Sequence, residues 1–125
     1  MEQKYSILII EGHSSMRMLL CQYLQPYYNY HAVMNSYEAI SWLMEGNFPH
    51  LILLSTDDSR DEASHFLNHL RLSGFFEHIP VVVLDANGSD TLSKLQKAEI
   101  ILNKPFDPLQ LLKTVRKQIS NSQFA

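Results

Sequence analysis

Short apolar runs alternate along this chain with longer segments in which apolar residues recur at helical spacing. The first run, Ile7-Leu8-Ile9-Ile10, is too uniformly apolar for a strand with one wet face and reads as a central parallel strand. From Ser14, read as an N-cap, Met16, Leu20, Tyr23 and Leu24 mark one helix face until Pro26 makes further helix costly. Tyr30 to Val33 gives a weaker strand. Ser36 is read as the cap of a helix carrying Ala39, Ile40 and Leu43 and ending near Gly46. After Pro49 comes the third strand, Leu51-Ile52-Leu53-Leu54, then a polar loop and a helix with Ala63, Phe66, Leu67 and Leu70 on its apolar side. Pro80-Val81-Val82-Val83-Leu84 is the most β-prone stretch, with proline at its first residue, where a missing donor is tolerated. A short helix around Leu92 to Ala98, a brief strand from Ile100 to Leu102, and a last helix with Leu109, Leu112, Val115 and Ile119 complete the pattern.

Strands that alternate with helices imply parallel pairing, because a parallel connection needs a crossover. The expected fold is α/β, a flavodoxin-like doubly wound sheet of five strands in order 2-1-3-4-5 with helices on both faces, one domain over residues 1–125. In such a sheet the functional crevice lies beyond the carboxyl ends of the strands. That singles out Glu11-Gly12-His13, Ser55-Thr56-Asp57-Asp58, Asp85-Ala86 and Asn103-Lys104-Pro105.

Composition narrows the function classes. A chain of 125 residues that is 46% hydrophobic and 18% charged can bury one real core without staples. A net charge of −3 argues against direct nucleic-acid binding, which calls for a basic face. The single cysteine, Cys21, cannot form an internal disulfide and fits a reducing compartment. No apolar run reaches the length of a membrane span and the start lacks the regions of a signal peptide, so the expectation is a cytoplasmic protein without membrane association.

The ordered set of short matches in these segments resembles the receiver domains of two-component response regulators over essentially the whole chain. Lys104-Pro105-Phe106 before a helix is its clearest mark; Ile79 to Leu84, Pro49 to Leu54, Arg17, Leu20, Leu24, Glu38-Ala39-Ile40 and Leu70-Arg71 also fit. The resemblance implies a signalling module of a phosphorelay. It also exposes departures. Where the family has two acidic residues after strand 1 to hold Mg²⁺, this chain has Glu11 and Gly12; where it has the phosphoacceptor aspartate, this chain has Ser55, whose hydroxyl cannot form an acyl phosphate. Asp85 stands at the position of the Thr or Ser hydroxyl that meets the phosphoryl group, and Ile101 at that of the aromatic switch residue. Lys104 alone matches.

Glu11, Asp85 and Lys104 leave the pocket near −1 where the family's is near −2, which lowers the demand for a cation. No metal or other cofactor is therefore expected, and Mg²⁺ binding should be weak. Asp85 is expected to replace the missing strand-3 aspartate as the partner of Lys104, since an unpaired buried ammonium is costly. The reading that follows is a pseudo-receiver, not an enzyme, acting through a constitutive surface on a signalling protein partner, with a homodimer as a further assembly. Two alternatives stay open: an atypical phosphorelay receiver accepting a phosphoryl group at Asp57, Asp58 or Asp85, and a small-ligand sensor using the emptied pocket. Asp57 falls where the family's backbone carbonyl reaches the metal, although a solvated turn capping the next helix explains it and Asp58 better.

Other candidates read more plainly. Glu62, His65 and His69 share a helix stripe that suits a transition metal, but a polar face is the better reading. Neighbouring His13, Ser14 and Ser15 rarely align as base and nucleophile. Tyr27, Tyr28 and Tyr30, and the pair Phe75-Phe76, fall near loops where rings cover sheet ends or anchor partners. The segment from Asn87 to Asn103 is shorter than its receiver counterpart, so the family's output surface is expected to be remodelled here.

Overall fold

In a computed structural model, which describes residues 4–56, 60–85 and 100–124, the apolar runs become five parallel strands: β1 (Ser6–Ile10), β2 (Asn29–Val33), β3 (Leu51–Thr56), β4 (Val81–Asp85) and β5 (Ile100–Asn103). They lie in the order β2-β1-β3-β4-β5, as the sequence pattern implied. The helices among the described residues are α1 (Ser14–Leu24), α2 (Ser36–Met44), α3 (Arg60–Leu72) and α4 (Pro108–Phe124). The helix read around Leu92 to Ala98, the residues Asp57 and Asp58, and most of the shortened segment from Asn87 lie outside the described residues.

Successive strand residues point to opposite faces, so an all-apolar strand needs a helix layer on each side. Leu8, Ile10, Ile52, Leu54, Val81 and Val83 pack with Ala39 and Leu43 of α2 and with Phe66, Leu67 and Leu70 of α3. Ile7, Ile9, Leu51, Leu53, Val82 and Leu84 pack with Leu20 and Leu24 of α1 and with Leu111, Val115 and Ile119 of α4. Each of these buried Val, Leu, Ile and Phe side chains contributes about 1.5–3 kcal/mol of transfer free energy.

Several local readings are corrected. The N-cap of α1 is His13, with Ser14 already helical and no side-chain cap bond. The N-cap of α2 is Asn35, whose side chain accepts from the Glu38 amide at 2.9 Å, while Ser36 is the first helical residue. Asn35 prevails because the Glu38 carboxylate reaches back to the Met34 amide at 2.7 Å, closing the turn around position 35. Leu109 is exposed and Leu111 is buried, because the apolar stripe of α4 runs through 111, 115 and 119. Gly46, with φ +99°, ends α2 in the left-handed conformation that glycine adopts without strain. β3 and β4 each run further than their apolar cores, pairing Ser55 with Leu84 and Thr56 with Asp85.

Candidate functional site

The two-residue period that builds the core also sorts the polar residues at the carboxyl ends of the strands. On β1, Ile7 and Ile9 face the α1 and α4 layer, and the next residue on that side is Glu11. By the same count Leu51 and Leu53 lead to Ser55, and Leu102 leads to Lys104. These three meet. The Lys104 ammonium donates to Glu11 Oε1 at 3.0 Å and to the Ser55 hydroxyl oxygen. The Glu11 side chain is fully buried, and that of Lys104 is 11% exposed.

Glu11 is held from several directions. Its second carboxylate oxygen accepts from the His13 amide at 2.9 Å, and the His13 ring nitrogen Nδ1 lies 3.4 Å from it. Its own amide donates to the Val33 carbonyl, and its carbonyl accepts from the Arg17 guanidinium at 2.9 Å. Arg17, whose sequence signal is only its helix position, thus fixes the loop that carries Glu11.

Asp85 falls on the other side of the sheet. Val81 and Val83 face the α2 and α3 layer, and Asp85 continues their parity, beside Thr56, which continues Ile52 and Leu54. The Thr56 hydroxyl donates to Asp85 Oδ1 at 2.9 Å, and both residues are buried. The expected pairing of Asp85 with Lys104 is therefore corrected: among the described residues it is Glu11 whose carboxylate lies within ion-pair distance of Lys104, because alternation turns Asp85 away from it. Asp85 reaches Lys104 through the backbone, its carbonyl accepting from the Lys104 amide at 2.9 Å. Thr56 belongs to the strand-3 end that the sequence singles out, and its pairing with Asp85 follows from extending the strand pairing by two residues.

The remaining pocket positions behave differently. Gly12 is exposed, and a Cβ placed on it would meet the Met34 carbonyl at 3.6 Å, an ordinary contact. Glycine is thus not demanded by crowding at the Cβ. Ile101 is half-buried against the α2 and α3 core. A cleft of about 250 Å³ opens between the ends of β1 and β3 and the first turns of α2 and α3, lined among others by Gly12, Ser36, Ser55 and Glu62 over an apolar floor of Ile10 and Leu54.

These residues do not fit Mg²⁺, a hard cation that needs several oxygen ligands in near-octahedral array. Both oxygens of Glu11 are engaged, one of them by an ammonium; Gly12 and Ser55 bring no carboxylate, and the Asp85 carboxylate, bonded through Oδ1 to Thr56, lies on the opposite parity. Glu62 of the α3 stripe turns its carboxylate to the Ser36 amide at 3.3 Å, and His65 and His69 are exposed. No cluster of three or more histidine, cysteine or acidic side chains arranged to hold a metal occurs among the described residues. The aromatic pair divides: Phe75 is exposed, and Phe76 is buried with its ring centroid 5.1 Å from that of Phe48.

No family model matches the chain, and no curated protein matches it. Solved structures do. The signal receiver domain of a signal transduction histidine kinase from Syntrophus aciditrophicus superposes with a TM-score of 0.83 at 22% identity, over 94% of this chain and 91% of that one. The receiver domain of the Francisella response regulator 1452 gives 0.82 at 17% identity, over 95% and 99%. The chemotaxis response regulator CheY4 of Vibrio cholerae gives 0.80 at 20% identity, over 93% and 99%. The chain shares the receiver-domain fold with these proteins.

Proposed function

We propose that this chain is a receiver-like signalling module that works without phosphorylation, binding a signalling protein partner through a constitutive surface. The observation that carries the reading is Lys104 held between Glu11 and Ser55. In the family it resembles, the lysine faces a phosphoacceptor carboxylate; here it faces a hydroxyl, and its charge is balanced by the strand-1 glutamate. The ends of β1, β3 and β5 are thus tied together by side chains. Such a module is not an enzyme, and its place is a phosphorelay pathway in the cytoplasm. No helix among the described residues is long and apolar enough to cross a membrane.

The rival reading, phosphoryl transfer to an aspartate, has little support at Asp85, which is wholly buried and bonded to Thr56. Asp57 and Asp58 lie outside the described residues. Incubation with acetyl phosphate and Mg²⁺, followed by intact mass, tests both. The native chain should gain no mass, while Gly12→Asp/Ser55→Asp/Asp85→Thr, which rebuilds the family's residues, should gain one phosphate. A hydroxylamine-labile phosphate on the native chain would defeat the proposal. The cleft beside Gly12 and Ser55 favours a second reading, a small-ligand sensor. For that reading a small-molecule thermal-shift screen should yield a stabilising compound whose effect is lost in Gly12→Leu.

A further inference from the structure

From Met18 to Tyr37 the chain carries 20 consecutive residues without an aspartate, glutamate, lysine or arginine. The run contains β2, one of the two edge strands of the sheet. Natural edge strands are ordinarily guarded by charge, proline or a covering element, because their outward backbone groups can template another strand. Here the charges that bracket the run are engaged with the chain itself, Arg17 on the Glu11 carbonyl and Glu38 on the Met34 amide.

The direction of the backbone groups decides what such an edge can bind. The Asn29 amide donates to Tyr5 and the Val33 carbonyl accepts from Glu11, so residues 29, 31 and 33 turn their polar groups toward β1. Residues 30 and 32 then turn theirs outward. The flanking amides are used: that of Tyr28 donates to the Leu24 carbonyl and that of Met34 to Glu38. The free edge is thus short and symmetric about His31.

We propose that this edge is a homodimer interface, in which β2 of a second copy pairs antiparallel across a twofold axis at His31. Tyr30 then lies opposite Ala32 of the second copy, and Ala32 opposite its Tyr30. Each outward residue exchanges backbone hydrogen bonds with an outward residue, roughly four bonds in all. The pairing sets a large ring against a small side chain on the α1 face, where Ala32 already packs. Symmetry selects the occupant, because residues 30 and 32 of one copy meet 32 and 30 of the other across the axis, and charge permits it. Each copy carries −3, so two copies approach best where neither brings a formal charge, and a strongly basic partner would gain nothing at this edge. Exposed Tyr27, Tyr30, Met34 and Tyr37 supply residue types that interface cores favour. A twofold contact uses the same patch on both copies, so assembly stops at the dimer.

Sedimentation velocity on the full chain at rising concentration, to about 0.5 mM, tests this with sensitivity to millimolar dissociation constants. A reversible monomer–dimer equilibrium is expected. Tyr30→Lys, on an exposed side chain, and Ala32→Pro, which removes an outward amide, should each weaken the dimer at least tenfold with unchanged far-ultraviolet circular dichroism. Should Ala32→Pro perturb the fold, Tyr30→Lys still decides. Mixing the Tyr30→Lys chain with an Ala32→Glu chain should restore dimer that neither forms alone, because those positions face each other in this register only. A native chain that stays monomeric, a dimer indifferent to Tyr30→Lys, or assembly that continues past the dimer each overturns the proposal.

Discussion

Lys104 Nζ and Glu11 Oε1 lie 3.0 Å apart although the residues are separated by 93 positions in the chain, and the glutamate is sealed from solvent. Removing one member of a buried pair leaves the other's charge less compensated, whereas removing both takes the two charges out together. Glu11→Gln is therefore expected to cost about 3 kcal/mol of unfolding free energy. Lys104→Met should cost a similar amount, and Glu11→Gln/Lys104→Met much less than the sum. Urea unfolding of the four proteins checks it; additive losses would show that the two groups act separately.

The Thr56–Asp85 bond joins β3 and β4 on the opposite side of the sheet. A hydrogen bond to a carboxylate contributes about 1.5–3 kcal/mol, and Thr56→Val keeps the side-chain shape while deleting the donor. Thr56→Val should lower stability by that amount, and Thr56→Ser by less, since it retains the hydroxyl. Equal losses in the two variants would assign the effect to packing. Thermal unfolding followed by circular dichroism distinguishes them.

Core residues were legible because burial on both sheet faces leaves a plain trace: β4 reads Val81-Val82-Val83-Leu84 and is buried throughout. The site was legible by position, since Glu11, Ser55 and Lys104 do converge at the strand ends. Its pairing was not. Asp85 follows Val83 by two residues and so faces α2 and α3, a placement fixed by strand parity that keeps it from serving as the expected partner of Lys104. The cap of α2 lies one residue before Ser36 because Asn35 and Ser36 are both good caps and the contacts of Glu38 with Asn35 and Met34 choose between them.

That choice carries its own prediction. Asn35→Ala removes the acceptor of the Glu38 amide and should cost about 1 kcal/mol. Ser36→Ala should cost less, because the bond made at Ser36 is donated by its backbone amide to Glu62, which alanine preserves. Urea midpoints of the two variants provide the comparison, and a larger loss at Ser36 would contradict the capping assignment.

Alkaline stability follows from two groups beside the α1 and α4 core. Burial raises the Tyr28 phenol above its ordinary 10.0, against a smaller lowering by Arg116. Burial likewise raises the Cys21 thiol above 9.0, against its hydrogen bond with Tyr30 and the charge of Arg17. In both cases the unfolded chain loses its proton first. Their contribution is therefore complete below those ordinary values and is lost as pH rises through the folded ones, so unfolding should become easier upward from pH 9.0. Tyr28→Phe and Cys21→Ala remove the titrating groups and should flatten that decline, while leaving the pH dependence near neutrality as it was. Urea unfolding at a series of alkaline pH values reads the slopes directly. A slope unchanged in both variants would mean that other groups govern the alkaline limb.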